Sequence, residues 1–513
     1  MILQDSQSKK IDIIFGPPGT GKTTHLLGIV ESELQRGTPP DRIGYFAFTK
    51  RAAKEAIDRA MEKFNLNRKD LKYFRTLHSM AYLTLGLATD DVMGDKDYEE
   101  VSESLQIKLI NPNKNVDYLG ISTPQDPYLK LIDQAKIKGV SLSNEFMNCT
   151  EHLEFGLERL EQIDSGLTRY KGKKAKLDFT DMIIEFIAQQ GCPAFDVVII
   201  DEAQDLSFIQ WQMVEILVRN SQKAHIAGDD DQAIFDWAGA DTKRLQQIGG
   251  ERHVLKQSYR IPRAVHHVAS DLISKVNDRV QKDWNPKKEK GVVMRHRMRF
   301  NNHTDLSQGE WLILARTNYM LEEVLNRLKQ EGMFYTFKNR SSVSDRLIRA
   351  VQGWDRLKEG AVDLQTVKDI YYYISGSGRI QHGYKEKLKQ MDPAAMYDHE
   401  SLTMHHGLNV DINLPWDVAL DDVPESMRLY MNVALRRSSF NSASNIRVST
   451  IHASKGSEAD NVMLLTDLPR KADISISKKR DDERRVFYVG ATRAKKSLHI
   501  IASKTDREFT ELL

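Results

Sequence analysis

The chain places a glycine-rich octapeptide, GPPGTGKT at residues 16–23, directly after the apolar run IDIIF. Its spacing fits G-x-x-x-x-G-K-[ST], in which glycines allow the positive φ angles that fold a loop round a phosphate chain. Backbone N–H groups and the start of the following helix then face the anion. Because a strand pattern precedes the loop and a helical pattern follows it, a nucleoside triphosphate site is favoured over an ordinary turn.

Individual residues of this loop suit different parts of a bound triphosphate. Lys22 is placed to neutralise the β- and γ-phosphate oxygens, and the Thr23 hydroxyl is placed to ligate Mg²⁺. The other loop positions predicted to contact the nucleotide are Gly16, Pro17, Pro18, Gly19, Thr20, Gly21 and Thr24. We therefore expect a nucleoside triphosphate with Mg²⁺ as the cofactors.

A second run, VVIIDEAQD at 197–205, is a short apolar strand that ends in acids. Strand ends in open α/β sheets point at the ligand crevice. Asp201 is placed to hold the Mg²⁺ shell, and Glu202 to orient and deprotonate the attacking water. Taken alone, this run also fits a solvated acidic loop. Beside the phosphate loop it predicts triphosphate hydrolysis.

Apolar runs of four to seven residues recur along the chain and alternate with helical patterns. Runs of this length are typical of buried parallel strands, and the alternation predicts open α/β sheets. Two blocks result, with runs at 10–16, 42–49, 195–201 and 223–229 in the first, and at 310–317, 334–337, 445–450, 461–466 and 497–503 in the second. Residues 86–174 and 346–439 carry no strand series, so we expect two mainly helical insertions.

The length and composition of the chain limit the number of domains, the kind of partner and the cellular location. The 513 residues suggest roughly three or four folding units. A net charge of +2 does not by itself indicate a nucleic-acid partner. Cys149 and Cys192 are isolated, which fits neither a disulfide framework nor a zinc site. With no signal-peptide pattern and no apolar stretch of about 18 residues, we expect a cytoplasmic protein of a bacterial or phage-infected cell, with a nuclear location not excluded.

Seven further strings accompany the two nucleotide signals: YFAFTKRAAKEA (45–56), RTLHSMAY (75–82), DFTDMI (178–183), HIAGDDDQAIFDWAGAD (225–241), QSYRIP (257–262), VSTIHASKGSEADNV (448–462) and ERRVFYVGATRAK (483–495). In content and order the set resembles the motifs of the UvrD/Rep/PcrA type of superfamily 1 DNA helicase. The matching strings cover both blocks of predicted strands.

The resemblance implies an α/β fold with two RecA-like parallel-sheet motor domains, each interrupted by a mainly helical accessory insertion. The expected boundaries are 1–85 plus 175–250 for the first motor domain, 86–174 for its insertion, 251–345 plus 440–513 for the second motor domain, and 346–439 for a small second insertion. ATP and Mg²⁺ would bind between the motor domains. The expected partners are single-stranded and tailed duplex DNA, with 3′-to-5′ translocation, duplex unwinding and no membrane association.

The resemblance also assigns roles at the nucleotide. Gln232 would sense the γ-phosphate, because an amide can hydrogen-bond both phosphate and water. Arg260 and Arg493 would act as arginine fingers that stabilise the charge on the transferring phosphoryl group, although both also fit ordinary ion pairs. The other residues implied at the nucleotide are Tyr259 on the adenine, Glu458 near the ribose, and Gly456.

For DNA, the resemblance implies contacts from Phe48, Thr49, Thr76, His78, Trp237, Thr450 and His452. A ring that stacks on bases tolerates any sequence, which suits a motor. Structural alternatives stay open, since Phe48 fits a strand core, Trp237 fits interdomain packing, and the two histidines fit hydrogen-bonded structural roles. The basic runs at 171–176 and 295–299 fit either a solvated face or DNA contacts that act on affinity.

Three features depart from the family pattern. The adenine-reading glutamine lacks a clear motif, and Gln4 and Gln7 are the candidates. The 346–439 insertion is short, and the chain ends about twenty residues after Arg493 without a nuclease-like extension, so we expect a stand-alone motor. Two alternatives to a helicase remain open: a DNA-stimulated ATPase that remodels protein–DNA complexes without unwinding, and an unrelated P-loop enzyme such as a small-molecule kinase.

Overall fold

A computed structural model describes residues 10–112, 126–149, 154, 156–297, 305–376, 378–437 and 445–513. Gln4 and Gln7 lie outside the described residues. The chain divides into two compact units, one made of Met1–Asn302, Leu314–Arg316 and Thr450–Leu513, and the other of His303–Ile313 and Thr317–Ser449. The four domain boundaries derived from the sequence stay a prediction.

The strands alternate with helices along most of the chain. The strands are β1 (Lys10–Phe15), β2 (Ile43–Ala47), β3 (Phe74–Thr76), β4 (Phe195–Asp201), β5 (Ser221–Gly228), β6 (Glu251–Val254), β7 (Val292–His296), β8 (Trp311–Ala315), β9 (Thr336–Phe337), β10 (Arg340–Ser341), β11 (Val362–Asp363), β12 (Met396–Tyr397), β13 (Ile446–Thr450), β14 (Ala459–Leu465) and β15 (Ala494–Ile501).

The helices are α1 (Lys22–Gln35), α2 (Lys50–Phe64), α3 (Leu77–Thr84), α4 (Asp95–Leu105), α5 (Pro127–Lys138), α6 (Leu142–Met147), α7 (Leu157–Lys174), α8 (Phe179–Gln189), α9 (Phe208–Arg219), α10 (Thr242–Gln247), α11 (Arg263–Ser274), α12 (Glu322–Gln330), α13 (Asp345–Leu357), α14 (Leu364–Tyr372), α15 (Tyr384–Lys387), α16 (His399–His405), α17 (Trp416–Ala419), α18 (Glu425–Arg436) and α19 (Arg470–Ala491). None of the helices in the described part of the chain has both the length and the apolar character needed to cross a bilayer.

Six strands form the first sheet, in the order β3-β2-β4-β5-β1-β6, and each neighbouring pair is parallel. Alternate residues of β1 face opposite sides, so that Ile13 and Phe15 pack in one buried cluster while Ile14 packs in the other. Both faces of the sheet are therefore covered, as the uninterrupted apolar run of β4 predicts.

A second sheet has seven strands in the order β10-β9-β13-β8-β14-β15-β7. The pairs β14–β15, β15–β7 and β13–β9 are parallel, whereas β9 and β10 form an antiparallel pair. The α/β prediction with two largely parallel sheets is confirmed.

The first of the two predicted helical stretches contains helices in its described part, whereas the second also contains a short strand pair. The described part of 86–174 consists of α4 to α7, whose buried residues form a separate apolar cluster. In the second compact unit, α13, α14 and α16 to α18 surround Trp354, which is fully buried and donates its Nε1 proton to the Leu414 carbonyl at 2.9 Å. This unit also contains the short antiparallel pair β11–β12, which the sequence patterns did not predict.

Candidate nucleotide and DNA site

The phosphate loop joins β1 to α1, and two of its glycines have positive φ angles, 73° at Gly19 and 76° at Gly21. A Cβ on Gly19 would lie 2.4 Å from Arg260 Cβ, so glycine is required there by contact as well as by conformation. The Tyr259 N–H donates to the Gly19 carbonyl at 2.8 Å, and Ser258 Oγ donates to the Pro18 carbonyl at 2.8 Å. The SYR segment is thus docked directly on the loop.

Lys22, the first residue of α1, faces the two acids at the end of β4. Its Nζ lies 2.7 Å from Glu202 Oε1 and 3.5 Å from Asp201 Oδ1. Burial alone would lower the pKa of Lys22, but the Glu202 and Asp201 carboxylates outweigh it and raise that pKa above its ordinary value. The lysine is therefore held charged at the position where a triphosphate would arrive.

Glu202 and Asp201 occupy different electrostatic surroundings although they are adjacent. Burial would raise the pKa of Glu202, but the Lys22 and Lys455 charges lower it to about 2. Asp201 is 3% exposed, and burial raises its pKa despite the opposing charge of Lys22. Tyr45 Oη donates to Asp201 Oδ2 at 2.9 Å, which fixes the carboxylate orientation. Glu202 has a φ of 57°, a sparsely populated conformation for a residue with a side chain.

Arg493 follows α19 and is 2% exposed. Its Nε donates to the Val489 carbonyl at 2.9 Å, and its Nη2 donates to Gln232 Oε1 at 3.1 Å. Among the described residues, this guanidinium forms no ion pair. Burial, followed by the nearby charge of Arg260, lowers the pKa of Arg493 to about 9. An anion bound beside Arg493 would relieve this unfavourable burial.

The Gln232 amide makes a hydrogen bond at each end. Its Oε1 accepts from Arg493, and its Nε2 donates to Asp229 Oδ2 at 2.7 Å. Arg260 is paired through its Nε with Glu458 Oε2 at 2.5 Å. Burial would raise the pKa of Glu458, but Arg260 lowers it below its ordinary range. Tyr259 is 74% exposed and its ring lies beside Gly21, as an aromatic platform at the loop.

One cavity of about 350 Å³ brings these side chains together. Its lining includes every residue that the sequence assigned to catalysis, nucleotide or metal: Gly16, Pro17, Pro18, Gly19, Thr20, Gly21, Lys22, Thr23, Thr24, Asp201, Glu202, Gln232, Tyr259, Arg260, Gly456, Glu458 and Arg493. Residues from both ends of the chain therefore share one volume. Their individual roles stay proposals.

The site assignment left out several charged residues that line the cavity, among them Arg51 and Asp205. Arg51 donates from Nη1 to Ser457 Oγ at 3.1 Å and from Nη2 to the Gly456 carbonyl at 3.2 Å. Asp205 accepts a 2.6 Å hydrogen bond from Lys455, whose Nζ also donates to the Gln232 carbonyl at 2.7 Å. Both lie in strings that carried the resemblance, and a count of charged positions within those strings would have found them.

A buried ionic cluster lies next to Gln232. The Lys282 side chain is fully buried and contacts three consecutive carboxylates, of which Asp229 and Asp231 lie at 3.0 and 2.9 Å and Asp230 lies closer. Arg279 adds a two-pronged pair with Asp231 at 2.7 and 2.6 Å. Burial would lower the pKa of Lys282, but the three aspartates raise it. Lys282 and Arg279 thus pair with the three aspartates that directly precede Gln232, and these ion pairs stabilise the position of the loop that carries it.

An aromatic cluster lies beside the nucleotide cavity. Phe235 is its buried centre, with ring centroids 5.7 Å from Phe48, 5.9 Å from Trp237 and 6.2 Å from His452. Trp237 is 38% exposed, while Phe48 is only half-buried against the core. Burial, followed by the Arg316 and Lys455 charges, lowers the pKa of His452 to about 3, so this ring is neutral.

The predicted DNA-contacting threonines occupy helix or turn starts. Thr49 Oγ1 accepts the Ala52 N–H at 3.1 Å and Thr76 Oγ1 accepts the Ser79 N–H at 3.2 Å, each capping a helix. Thr450 Oγ1 likewise accepts a backbone N–H, from Ala453 at 3.2 Å. Burial lowers the pKa of His78 to about 4. The three threonines thus have a local structural role, and the DNA roles of all four residues stay predictions.

The basic run at 171–176 is not simply a solvated face. Lys171 is 8% exposed and pairs with Asp178 at 2.7 Å and, more closely, with Asp181. Asp178 also accepts the Asp181 N–H at 2.8 Å and so caps α8. The two aspartates of the DFTDMI string are therefore already engaged in ion pairs with Lys171. Part of the second basic run, at 298–299, lies outside the described residues.

Comparisons with known proteins agree with this geometry. Residues 4–252 match the UvrD/REP helicase N-terminal domain, and residues 411–505 match the UvrD-like helicase C-terminal domain. A probable DNA helicase II homolog of Mycoplasma genitalium is 22% identical, over 97% of this chain and 83% of that protein.

Two further relatives are matched over shorter stretches. The ATP-dependent DNA helicase PcrA of Staphylococcus aureus is 22% identical over 65% of this chain, and DNA helicase II of Haemophilus influenzae is 25% identical over 56%. The chain spans 50% of the first and 42% of the second. The two matched ranges contain all the residues that line the cavity except Tyr259 and Arg260, and this chain therefore belongs to the UvrD/REP helicase family of ATP-dependent DNA helicases.

Proposed function

We propose that this chain is an ATP-dependent helicase that moves 3′ to 5′ along single-stranded DNA and unwinds tailed duplexes. It would act in a bacterial or phage-infected cell, in keeping with its bacterial relatives. The observation that carries the proposal is the shared cavity in which Arg260 and Arg493 face the same volume as Lys22 and Glu202. Hydrolysis then requires residues from the start and the end of the chain to meet.

Mg²⁺ fits the donor set at the base of this cavity. It prefers oxygen ligands, and Thr23 and Asp201 offer a hydroxyl and an oriented carboxylate beside the phosphate loop. When bound, the ion would neutralise charge on the β- and γ-phosphates. Lys22 would bind the same phosphates, Glu202 would accept the proton of the attacking water, and Gln232 would orient that water.

Arg493 provides the proposed link between chemistry and movement. Its only polar partners among the described residues are neutral oxygens, including Gln232 Oε1, so a γ-phosphate would supply the missing negative charge. The closed arrangement is then stabilised by ATP and loses that stabilisation when phosphate leaves. Such a cycle of closing and opening is what a translocating motor needs.

DNA contacts are proposed along the aromatic cluster and the helix starts. The Thr49 and Thr76 hydroxyls accept backbone N–H groups, which leaves each O–H free to donate to a phosphate oxygen. The starts of α2 and α3 add the favourable helix dipole. Exposed Trp237 offers a ring for base stacking. None of these contacts reads a base edge, as suits a motor without sequence preference.

The proposal is tested by strand separation on 3′-tailed and 5′-tailed duplexes in parallel, with ATP hydrolysis measured on each. We expect separation of the 3′-tailed duplex only, with hydrolysis stimulated by single-stranded DNA. The Lys22→Ala variant is the control and should lose both activities. DNA-stimulated hydrolysis without separation on either substrate would support a translocase that remodels protein–DNA complexes. An ATP hydrolysis rate that is the same with and without DNA would refute the motor assignment.

Replacing Trp237 with alanine is expected to weaken single-stranded DNA binding by about 5- to 150-fold, because base stacking contributes about 1–3 kcal/mol per base. Fluorescence anisotropy of a labelled oligonucleotide measures this change. Trp237→Phe keeps a ring at the site and serves as the matched control, with a smaller loss. Equal DNA affinity in Trp237→Ala and the parent would mean that the indole has only a packing role against Phe235 and His452.

A further inference from the structure

Four metal-binding side chains share one face of the first sheet, away from the phosphate loop. Asp12 of β1 stands in register with His225 of β5 on one side and Glu251 of β6 on the other. His253 lies two residues beyond Glu251 on β6 and points to the same face. Parallel pairing of three strands therefore gathers two carboxylates and two imidazoles.

The donor atoms lie close together. His253 Nε2 is 3.5 Å from Glu251 Oε1 and 4.0 Å from Asp12 Oδ1, and these three groups offer ligand atoms within 4.8 Å of one another. His225 Nδ1 lies 3.1 Å from Asp12 Oδ2. Atoms that bind one Zn²⁺ at about 2.0–2.2 Å lie within roughly twice that distance of each other. Asp12, Glu251 and His253 therefore need only small shifts, whereas His225 has to turn toward them from its contact with Asp12.

A second observation points to a missing ligand. Asp12 is 7% exposed, yet its Oδ1 accepts no hydrogen bond from the described residues. His225 Nδ1 is also buried and, despite its short distance to Asp12, has no partner in hydrogen-bond geometry within the described chain. Buried polar atoms are rarely left in this state, because each loses its hydration without compensation. The unpartnered Asp12 Oδ1 lies 4.0 Å from His253 Nε2, and His225 Nδ1 lies beside the other oxygen of the same carboxylate.

Neighbouring charges leave this space negative. Lys10 Nζ reaches 3.9 Å from Asp12 Oδ1, but its side chain is 65% exposed. Lys223 is engaged elsewhere, with Glu33 Oε1 at 2.9 Å. His25 of α1 also faces the cluster, and burial followed by the charge of His253 lowers its pKa. The two ligand carboxylates are thus not fully neutralised by the surrounding lysines.

We propose that Asp12, His225, Glu251 and His253 form a binding site for a divalent transition-metal ion of the zinc type. Mixed imidazole and carboxylate donors suit Zn²⁺, whereas Mg²⁺ and Ca²⁺ prefer oxygen ligands throughout.

Occupation of this site would tie β6 to its neighbour β1 and, through His225, to β5 beyond it. β6 is the edge strand of the first sheet, and the chain that leaves it leads to Tyr259 and Arg260. His253 and Glu251 are exposed by 46% and 63%, so their positions are otherwise weakly constrained. A bound ion would anchor the edge strand and stabilise the folded chain in proportion to the ion concentration.

The test is calorimetric titration of Zn²⁺ into the full, nucleotide-free chain, with excess Mg²⁺ present to occupy the carboxylates near Lys22. We expect one Zn²⁺ per chain and a rise in melting temperature with added Zn²⁺. His253→Ala, at a partly exposed position, should weaken Zn²⁺ binding at least about 10-fold and abolish the thermal shift, since even a lost supporting contact costs 10- to 100-fold. His267→Ala removes an exposed histidine on α11 and should bind as the parent does.

Bound Co²⁺ provides a second readout, because its visible spectrum reports nitrogen and oxygen donors in a low-coordinate site. The spectrum should appear in the parent and in His267→Ala, and be lost in both His253→Ala and His225→Gln. Absence of saturable Zn²⁺ binding in the parent would overturn the proposal. Equal Zn²⁺ affinity in His253→Ala and the parent would overturn it as well.

Discussion

Replacement of Arg493 by alanine is expected to lower kcat for ATP hydrolysis by about 10³-fold or more, while the Kd for ATP changes far less. The reason is that an arginine finger stabilises charge that develops on the transferring phosphoryl group, and such fingers contribute about 10³–10⁵ in rate. Arg493 is suited to this role because it is 2% exposed and pairs with Gln232 Oε1 rather than with a carboxylate of the described chain. Steady-state hydrolysis and nucleotide binding, measured with single-stranded DNA present, separate the two effects.

Arg480→Ala is the matched control, because Arg480 lies on α19, the helix that precedes Arg493, is 53% exposed and pairs with Glu511 at 2.6 Å outside the cavity. Its kcat should stay within about twofold of the parent. A melting curve for Arg493→Ala establishes that the buried position tolerates the change. If ATP affinity falls by the same factor as kcat/KM while kcat is retained, Arg493 contributes uniform binding and the finger role is wrong.

Glu202→Gln is expected to lower kcat by about 10²- to 10⁴-fold and to leave ATP binding intact, because it removes a general base without changing shape. Lys22 lowers the pKa of Glu202 to about 2, so the carboxylate is ionised throughout the neutral range. The loss should therefore persist at every pH near neutrality, and should not be rescued by raising the pH. Single-turnover hydrolysis at several pH values measures this.

Glu31→Gln serves as the control, since Glu31 lies on α1 and pairs with Lys63 at 2.8 Å, away from the cavity. A Glu202→Gln variant that keeps parental turnover would remove Glu202 from its role as base. The amide can still accept the Lys22 hydrogen bond through its oxygen, which keeps the local arrangement comparable.

The sequence predicted the buried strands well and the edge strands poorly. FDVVIID became β4 without a change of boundary, because the run VVII between its two aspartates is buried on both faces. β6 and β7 carry polar residues and are mostly exposed, since an edge strand packs less of its surface. Their pairing is set by partners far along the chain, Asp12 for β6 and His499 for β7, which a local pattern cannot show.

The nucleotide cavity was predictable where residue type and spacing carry the chemistry, as at Lys22 and Glu202. Arg51 was missed because a cation in the first turn of an amphipathic helix has the pattern of a solvated face. The pairing of Lys282 with three aspartates could not be predicted from the sequence either. Its partners lie about fifty residues earlier, and only the folded chain brings a lone lysine against them.

That ionic cluster also governs how this protein can be recombined with its relatives. A chimera that takes residues 229–231 from one parent and residues 279–282 from another would bury three acids against whatever cation the second parent supplies. Breaking a buried pair costs about 3–5 kcal/mol, a large share of the stability of a typical domain. Crossover points in hybrid motors should therefore keep these two short segments together as one inherited block.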